Sequence, residues 1–146
     1  MKKITIALVA VISAILMCVG LVACGASDVA GNTYVFDSVT VKFDSSVSEE
    51  DKEEANEDAE QTKAMYEQGG FEITFNSDGT YTQKMGEYED SGYYVQDGDK
   101  LYIYDTKEEA DEGDTSKATL FKVDGKKIVI EDSGDGITMV LTFKKK

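Results

Sequence analysis

Phe71-Glu72-Ile73-Thr74-Phe75-Asn76-Ser77-Asp78-Gly79-Thr80-Tyr81-Thr82-Gln83-Lys84-Met85 is the stretch on which the fold turns. Phe71, Ile73 and Phe75 share one face of an extended chain, with Glu72 and Thr74 on the other. Asp78-Gly79 then interrupts the run. This dipeptide accepts the positive φ that a tight hairpin turn requires, so it is a strong local hairpin signal. The segment therefore predicts two antiparallel strands, about 71–75 and 81–85, each apolar on one side.

The same grammar repeats outward. Asp97-Gly98, Asp124-Gly125 and Asp135-Gly136 each fall between apolar, β-branched or aromatic runs. Residues 92–95, 101–104 and 118–123 are further strand candidates. Ile128 and Ile130 form an alternating pair, and Met139, Leu141 and Phe143 oppose Thr138 and Thr142. The opening strand, 33–43, changes phase: Tyr34 and Phe36 are even, whereas Val39, Val41 and Phe43 are odd. A bulge or bend near Asp37-Ser38 would reconcile the two halves. About eight strands joined in sequence predict an all-β antiparallel up-and-down meander. Closure into a barrel removes exposed edges; an open or sandwich-like meander is the alternative.

One segment departs from this rhythm. Ser48-Glu49-Glu50-Asp51 has the form of a helix start, residues 49–68 are rich in Ala, Glu and Gln, and Gly69-Gly70 ends the run. Its apolar stripe is thin: Ala55, Ala59, Thr62 and Tyr66, with Met65 beside them. Nine acids stand against Lys52 and Lys63. An inserted acidic α-helix is expected, either solvated with one narrow docking face or lying as a lid over a barrel mouth.

Composition removes several functions. The chain has 146 residues, net charge −14 and no histidine, and every basic residue is lysine. Such acidity opposes nucleic-acid binding and anionic headgroups alike. Without histidine there is no imidazole acid–base chemistry and no His-based metal site. No spacing singles out a catalytic pair, so no enzyme activity and no cofactor are expected. Acidic runs at Asp97-Gly98-Asp99, at 111–114 and at 131–136 raise calcium binding, but none matches the EF-hand loop: Thr142 stands where its glutamate is needed. Turn chemistry accounts for these acids.

The N-terminus carries the address. Lys2-Lys3 precedes an apolar run ending in Leu21-Val22-Ala23-Cys24, which resembles the lipobox of bacterial lipoproteins. The resemblance implies a signal peptide over 1–23, diacylglycerol on Cys24 as the membrane attachment, a linker over 24–30, and a domain over 31–146 on the extracytoplasmic face of the cell membrane. Plain secretion or an uncleaved anchor are the other readings of the same segment. Cys18, after the bulky Met17, offers no second lipobox. With Cys18 in the signal and Cys24 lipidated, no thiol is left for a disulfide or a metal. Lys144-Lys145-Lys146 reads as a frayed, solvated tail.

Gly31-Asn32-Thr33-Tyr34, Asp78-Gly79-Thr80-Tyr81 with Thr82, Gly92-Tyr93-Tyr94 and Leu141-Thr142-Phe143-Lys144 together resemble small lipocalin-like lipoproteins of Gram-positive bacteria. The opening motif has Tyr34 where lipocalins have tryptophan. The resemblance implies a lipocalin-like β-barrel. Two functions are then carried forward. One is a cell-surface, non-enzymatic interaction or structural module, meeting a surface protein or wall polymer through faces that include Tyr81, Tyr88, Tyr93, Tyr94, Tyr102 and Tyr104. The other is a carrier holding a small apolar ligand lined by Phe71, Ile73, Phe75, Met139, Leu141 and Phe143. The size of these side chains favours a filled core over a hollow one.

Overall fold

A computed structural model describes residues 27–146. Cys24, the signal segment and the start of the linker lie outside the described residues. The chain forms a closed barrel of eight antiparallel strands, each paired with its sequence neighbours and the last with the first. The strands are β1 (Asn32–Phe43), β2 (Glu72–Phe75), β3 (Thr80–Met85), β4 (Tyr88–Asp97), β5 (Lys100–Tyr104), β6 (Thr119–Asp124), β7 (Lys127–Gly134) and β8 (Ile137–Lys145). Helix α1 (Glu49–Gly69) joins β1 to β2; α2 (Lys107–Glu112) and a 3-10 turn (Thr115–Lys117) join β5 to β6. The all-β up-and-down meander with an acidic helix inserted after β1 is thus the observed architecture.

All four Asp-Gly pairs sit at hairpin turns. Gly79, Gly98, Gly125 and Gly136 have φ between 58° and 84°, the region a Cβ disfavours. The phase change in β1 is also real. Its register against β8 shifts between Phe36 and Ser38, leaving Asp37 as the extra residue of a bulge. Two lysines neutralise it: Lys144 lies 2.9 Å and Lys127 3.3 Å from its carboxylate. Their hydrogen bonds, led by that of Lys144, hold the Asp37 carboxyl below the usual carboxylate range.

α1 starts and stops as its sequence predicts. Ser48 accepts a hydrogen bond from the Asp51 amide, and Gly70 at φ 65° donates its N–H to the Tyr66 carbonyl at 3.0 Å. β1 and β2 pair only over residues 32–35 and 72–75. Beyond that β1 continues with β8, and α1 packs back along β1. Tyr66 fills the gap where β1 and β2 part. It stacks on Phe71 at 4.7 Å and 19°, and meets Phe36 edge-on at 5.3 Å. Phe36 in turn packs against Phe143 at 5.9 Å. The helix therefore has the narrow docking face expected of it, and that face closes part of the barrel's interior.

Two expectations are corrected, and one connection holds a helix that the sequence pattern did not mark. β4 begins at Tyr88, not Gly92, because Gly86 at φ 60° turns the chain tightly enough for Tyr88–Ser91 to pair with β3. The β5–β6 connection contains α2, whose Ala110 is fully buried. The C-terminal lysines are not a frayed tail. Lys144 and Lys145 belong to β8, the Lys146 amide donates to the Thr33 carbonyl, and its ammonium pairs with Glu72 at 2.6 Å.

Candidate functional site

Alternation along the strands decides what fills the barrel. Tyr34 opposes Ile73, Phe75 opposes Tyr81, Leu101 opposes Phe121, and Ile128 opposes Phe143. All eight side chains are at most 1 % exposed. Large aromatic and branched residues thus occupy the interior layer by layer, as in small barrels packed by their own side chains. At one end, Val29 is fully buried, with its N–H on Gln96 Oε1 at 3.0 Å. This is a residue of the expected linker, and it plugs the mouth at which the chain enters.

The predicted lining residues separate into two groups. Ile73, Phe75, Leu141 and Phe143 belong to the continuous core, and Phe71 is half-buried against it. Met139 is half-buried and lies outside that core cluster, on the ribbon where β8 runs between Val41 and Asp132. Phe71 also borders a surface groove of about 260 Å³, lined with Val35, Phe36, Tyr66, Glu67, Gly70 and Glu72. Burial raises the Tyr66 phenol there above its ordinary value.

The tyrosines do not form one exposed patch. Tyr81, Tyr94 and Tyr104 are buried, Tyr93 and Tyr102 half-buried, and Tyr88 exposed. Burial, with lesser contributions from Asp28 and Asp78, pushes the Tyr94 phenol up to about 12; its hydroxyl donates to the Asn76 carbonyl at 2.8 Å. The outer face carries a mixed row instead. Val95 on β4, Tyr102 on β5 and Leu120 on β6 are consecutive cross-strand neighbours, with Val95 36 % and Leu120 43 % exposed. Lys100 and Lys122 form the adjacent row.

The far mouth, where β5 leads into α2, is polar. Gln83 and Asp90 are cross-strand partners, and Gln83 Nε2 donates to Asp90 at 3.3 Å. Gln83 Oε1 and the Tyr81 hydroxyl are buried without a hydrogen-bond partner among the described residues. Burial first, then Asp90 and Asp105, raises the Tyr81 phenol well above the tyrosine range. Burial, then Glu109 and Asp90, raises the Asp105 carboxyl. Sequence inspection missed this cluster because its members come from β3, β4 and the end of β5. Of the acidic runs considered for calcium, Glu131 is held by Lys42 and Lys122, and no group of three or more Asp, Glu, Cys or His suited to a metal occurs among the described residues.

The architecture defines the class of protein: a closed eight-stranded antiparallel barrel, consistent with a lipocalin-like fold. No protein-family model matches the chain, and neither the curated proteins nor the solved structures contain a match to it.

Proposed function

We propose that this protein is a non-enzymatic interaction module, tethered by diacylglycerol on Cys24 to the extracytoplasmic face of the cell membrane. The observation that carries the reading is the contrast between a barrel interior occupied by its own aromatic side chains and an outer row, Val95-Tyr102-Leu120, whose two end residues are exposed on either side of a half-buried tyrosine. Exposed apolar rows rimmed by charge are the usual mark of a protein-binding face. The partner class is a surface protein.

Lipidation would set the geometry. The Ser27 carbonyl already accepts from Gln96 Nε2 at 3.0 Å, so the extended chain from Cys24 to that residue reaches only ~10 Å. The plugged mouth at Val29 then faces the bilayer, and the polar mouth faces away. Two acyl chains suffice for stable anchoring, which a surface this acidic does not itself supply to an anionic membrane.

The test uses the full chain in its own membrane. Cys24→Ser should release it to the soluble fraction. A photo-crosslinker at Leu120 should give one defined protein adduct that a crosslinker at Glu57 does not, and Val95→Glu should abolish it. Identical adducts from both positions would refute the interaction face. The closed barrel is equally the architecture of a small-ligand carrier, so native mass spectrometry of the same material decides between the two: a retained apolar molecule would favour the carrier.

A further inference from the structure

Charge is spread unevenly over this acidic molecule. The β6–β7 turn and the end of β8 meet at the mouth where the chain enters, and they carry Lys126, Lys127, Lys144, Lys145 and Lys146. Lys127 and Lys144 are cross-strand partners. The Lys145 amide donates to the Lys126 carbonyl and the Lys146 amide to the Thr33 carbonyl, each at 2.9 Å, so the cluster is fixed to the barrel. Lys127 and Lys144 share one carboxylate, Asp37, and Lys146 pairs with Glu72. These three side chains are still 50 %, 57 % and 61 % exposed. Lys126 and Lys145 have no carboxylate partner among the described residues. Even with Asp124 at the turn counted, the sector stays positive. Eight of the nine acids of α1 lie between Glu49 and Glu60, upstream of Tyr66 by ~9 Å or more along the helix axis. That is about a Debye length at physiological salt, so they do not cancel the local field.

The described chain begins across the same mouth. The Ser27 carbonyl is held by Gln96 of β4, and β4 lies four strands from β8 in either direction around the closed barrel. Asp97 and Asp99 stand at that rim, beside the β4–β5 turn. We infer that the sector formed by Lys126, Lys127, Lys144, Lys145 and Lys146 docks on anionic lipid headgroups and leans the barrel onto its β7–β8 side. The inference rests on the tether proposed at Cys24, which supplies the anchoring; the lysines supply the orientation. An ammonium donates three N–H bonds and brings the charge that a lipid phosphate requires. Each uncompensated lysine near an anionic leaflet raises occupancy of the contact by roughly fivefold. Lys126 and Lys145 together therefore suffice for a chain already held at the surface, where the second contact is intramolecular. The same leaflet repels Asp97 and Asp99, which favours the same lean. The β4–β5 side is thereby raised from the bilayer, and with it the part of the interaction face that carries Val95 and Tyr102.

The experiment places the full chain, purified from its own membrane, in vesicles of phosphatidylcholine alone or with about a third phosphatidylglycerol. Lysines are acetylated briefly and read by mass spectrometry. The five sector lysines should label at least about threefold more slowly on the anionic vesicles, whereas Lys107 and Lys117 near the far mouth should label alike on both. The contrast should vanish in ~1 M salt, where the Debye length falls to ~3 Å. In Lys126→Gln/Lys145→Gln, which breaks no ion pair, the contrast at the remaining three should shrink below about twofold. Flotation with neutral vesicles tests the tether by itself, because no charge draws the chain to them. A chain that floats with neutral vesicles but labels alike on both would overturn the inference and keep the tether. Slower labelling of every lysine, Lys107 and Lys117 included, would also overturn it. A chain that does not float with neutral vesicles overturns the tether, and with it the geometry that the lysine contact needs.

Discussion

Replacing Tyr66 with alanine should detach α1 from the barrel without unfolding the barrel itself. The helix carries nine acids against Lys52 and Lys63, and Ala59 is its only buried residue, so Tyr66 is its principal anchor. About 100 Å² of ring surface leaves water at this half-buried position, worth ~2.5 kcal/mol at ~25 cal/mol/Å². The contacts with Phe71 and Phe36 add roughly 0.5–1.5 kcal/mol each. Unfolded-state compaction reduces the area term, leaving about 3 kcal/mol. If all of it were felt globally, the melting temperature would fall by ~10 °C. Because α1 is a single insertion, however, it can open locally, and the global loss is then limited to what docking contributes. Hydrogen exchange read by mass spectrometry distinguishes the two regimes. Protection over 49–69 should collapse in Tyr66→Ala while β3, β6 and β7 keep theirs, and Tyr66→Phe should behave as the parent. Unchanged protection of α1 with a melting point within ~1 °C of the parent would refute the anchoring argument.

Three further outcomes are expected. Gly70→Ala should destabilise by about 1 kcal/mol: the cap holds φ 65°, and nothing lies within 4 Å of an added Cβ, so chemical denaturation reads backbone strain alone. Asp37→Asn should cost under ~1 kcal/mol near neutral pH, since its lysine pairs are at the surface. The sign follows from a lowered folded-state pKa. The stabilisation is present above the unfolded value of ~3.9 and is lost as pH falls through the folded one, so melting curves of variant and parent should converge in acid. In a spectrophotometric alkaline titration, Tyr94 should resist ionisation until about 12, and Tyr94→Phe should remove one tyrosine from the late phase it shares with Tyr81 while costing ~1 kcal/mol for the lost hydrogen bond to Asn76.

The strand meander was legible because its signals are local. Each Asp-Gly turn needs only a permissive φ at one residue, and alternation within a single strand names the buried side before any partner is known. Even the Asp37 bulge announced itself, as a change of parity between Phe36 and Val39. The α1 caps were equally visible, since Ser48 and Gly70 act on backbone atoms a few residues away.

Other features carried no such mark. Tyr88-Glu89-Asp90-Ser91 is polar and unpatterned, and only pairing with β3 makes it a strand. Val29 reads as linker but is buried, because the barrel mouth supplies Gln96 as its partner. Lys146 reads as tail but is fixed by Thr33 and Glu72, which are distant in sequence.

The sequence alone determined the periodicity, the turns and the caps, all properties of neighbouring residues. Closure of the barrel, the docking of Tyr66 between parting strands and the meeting of Gln83, Asp90 and Asp105 at one mouth were decided only in the tertiary structure. They depend on which strands become neighbours and on how far the register is staggered, and no local pattern encodes those distances.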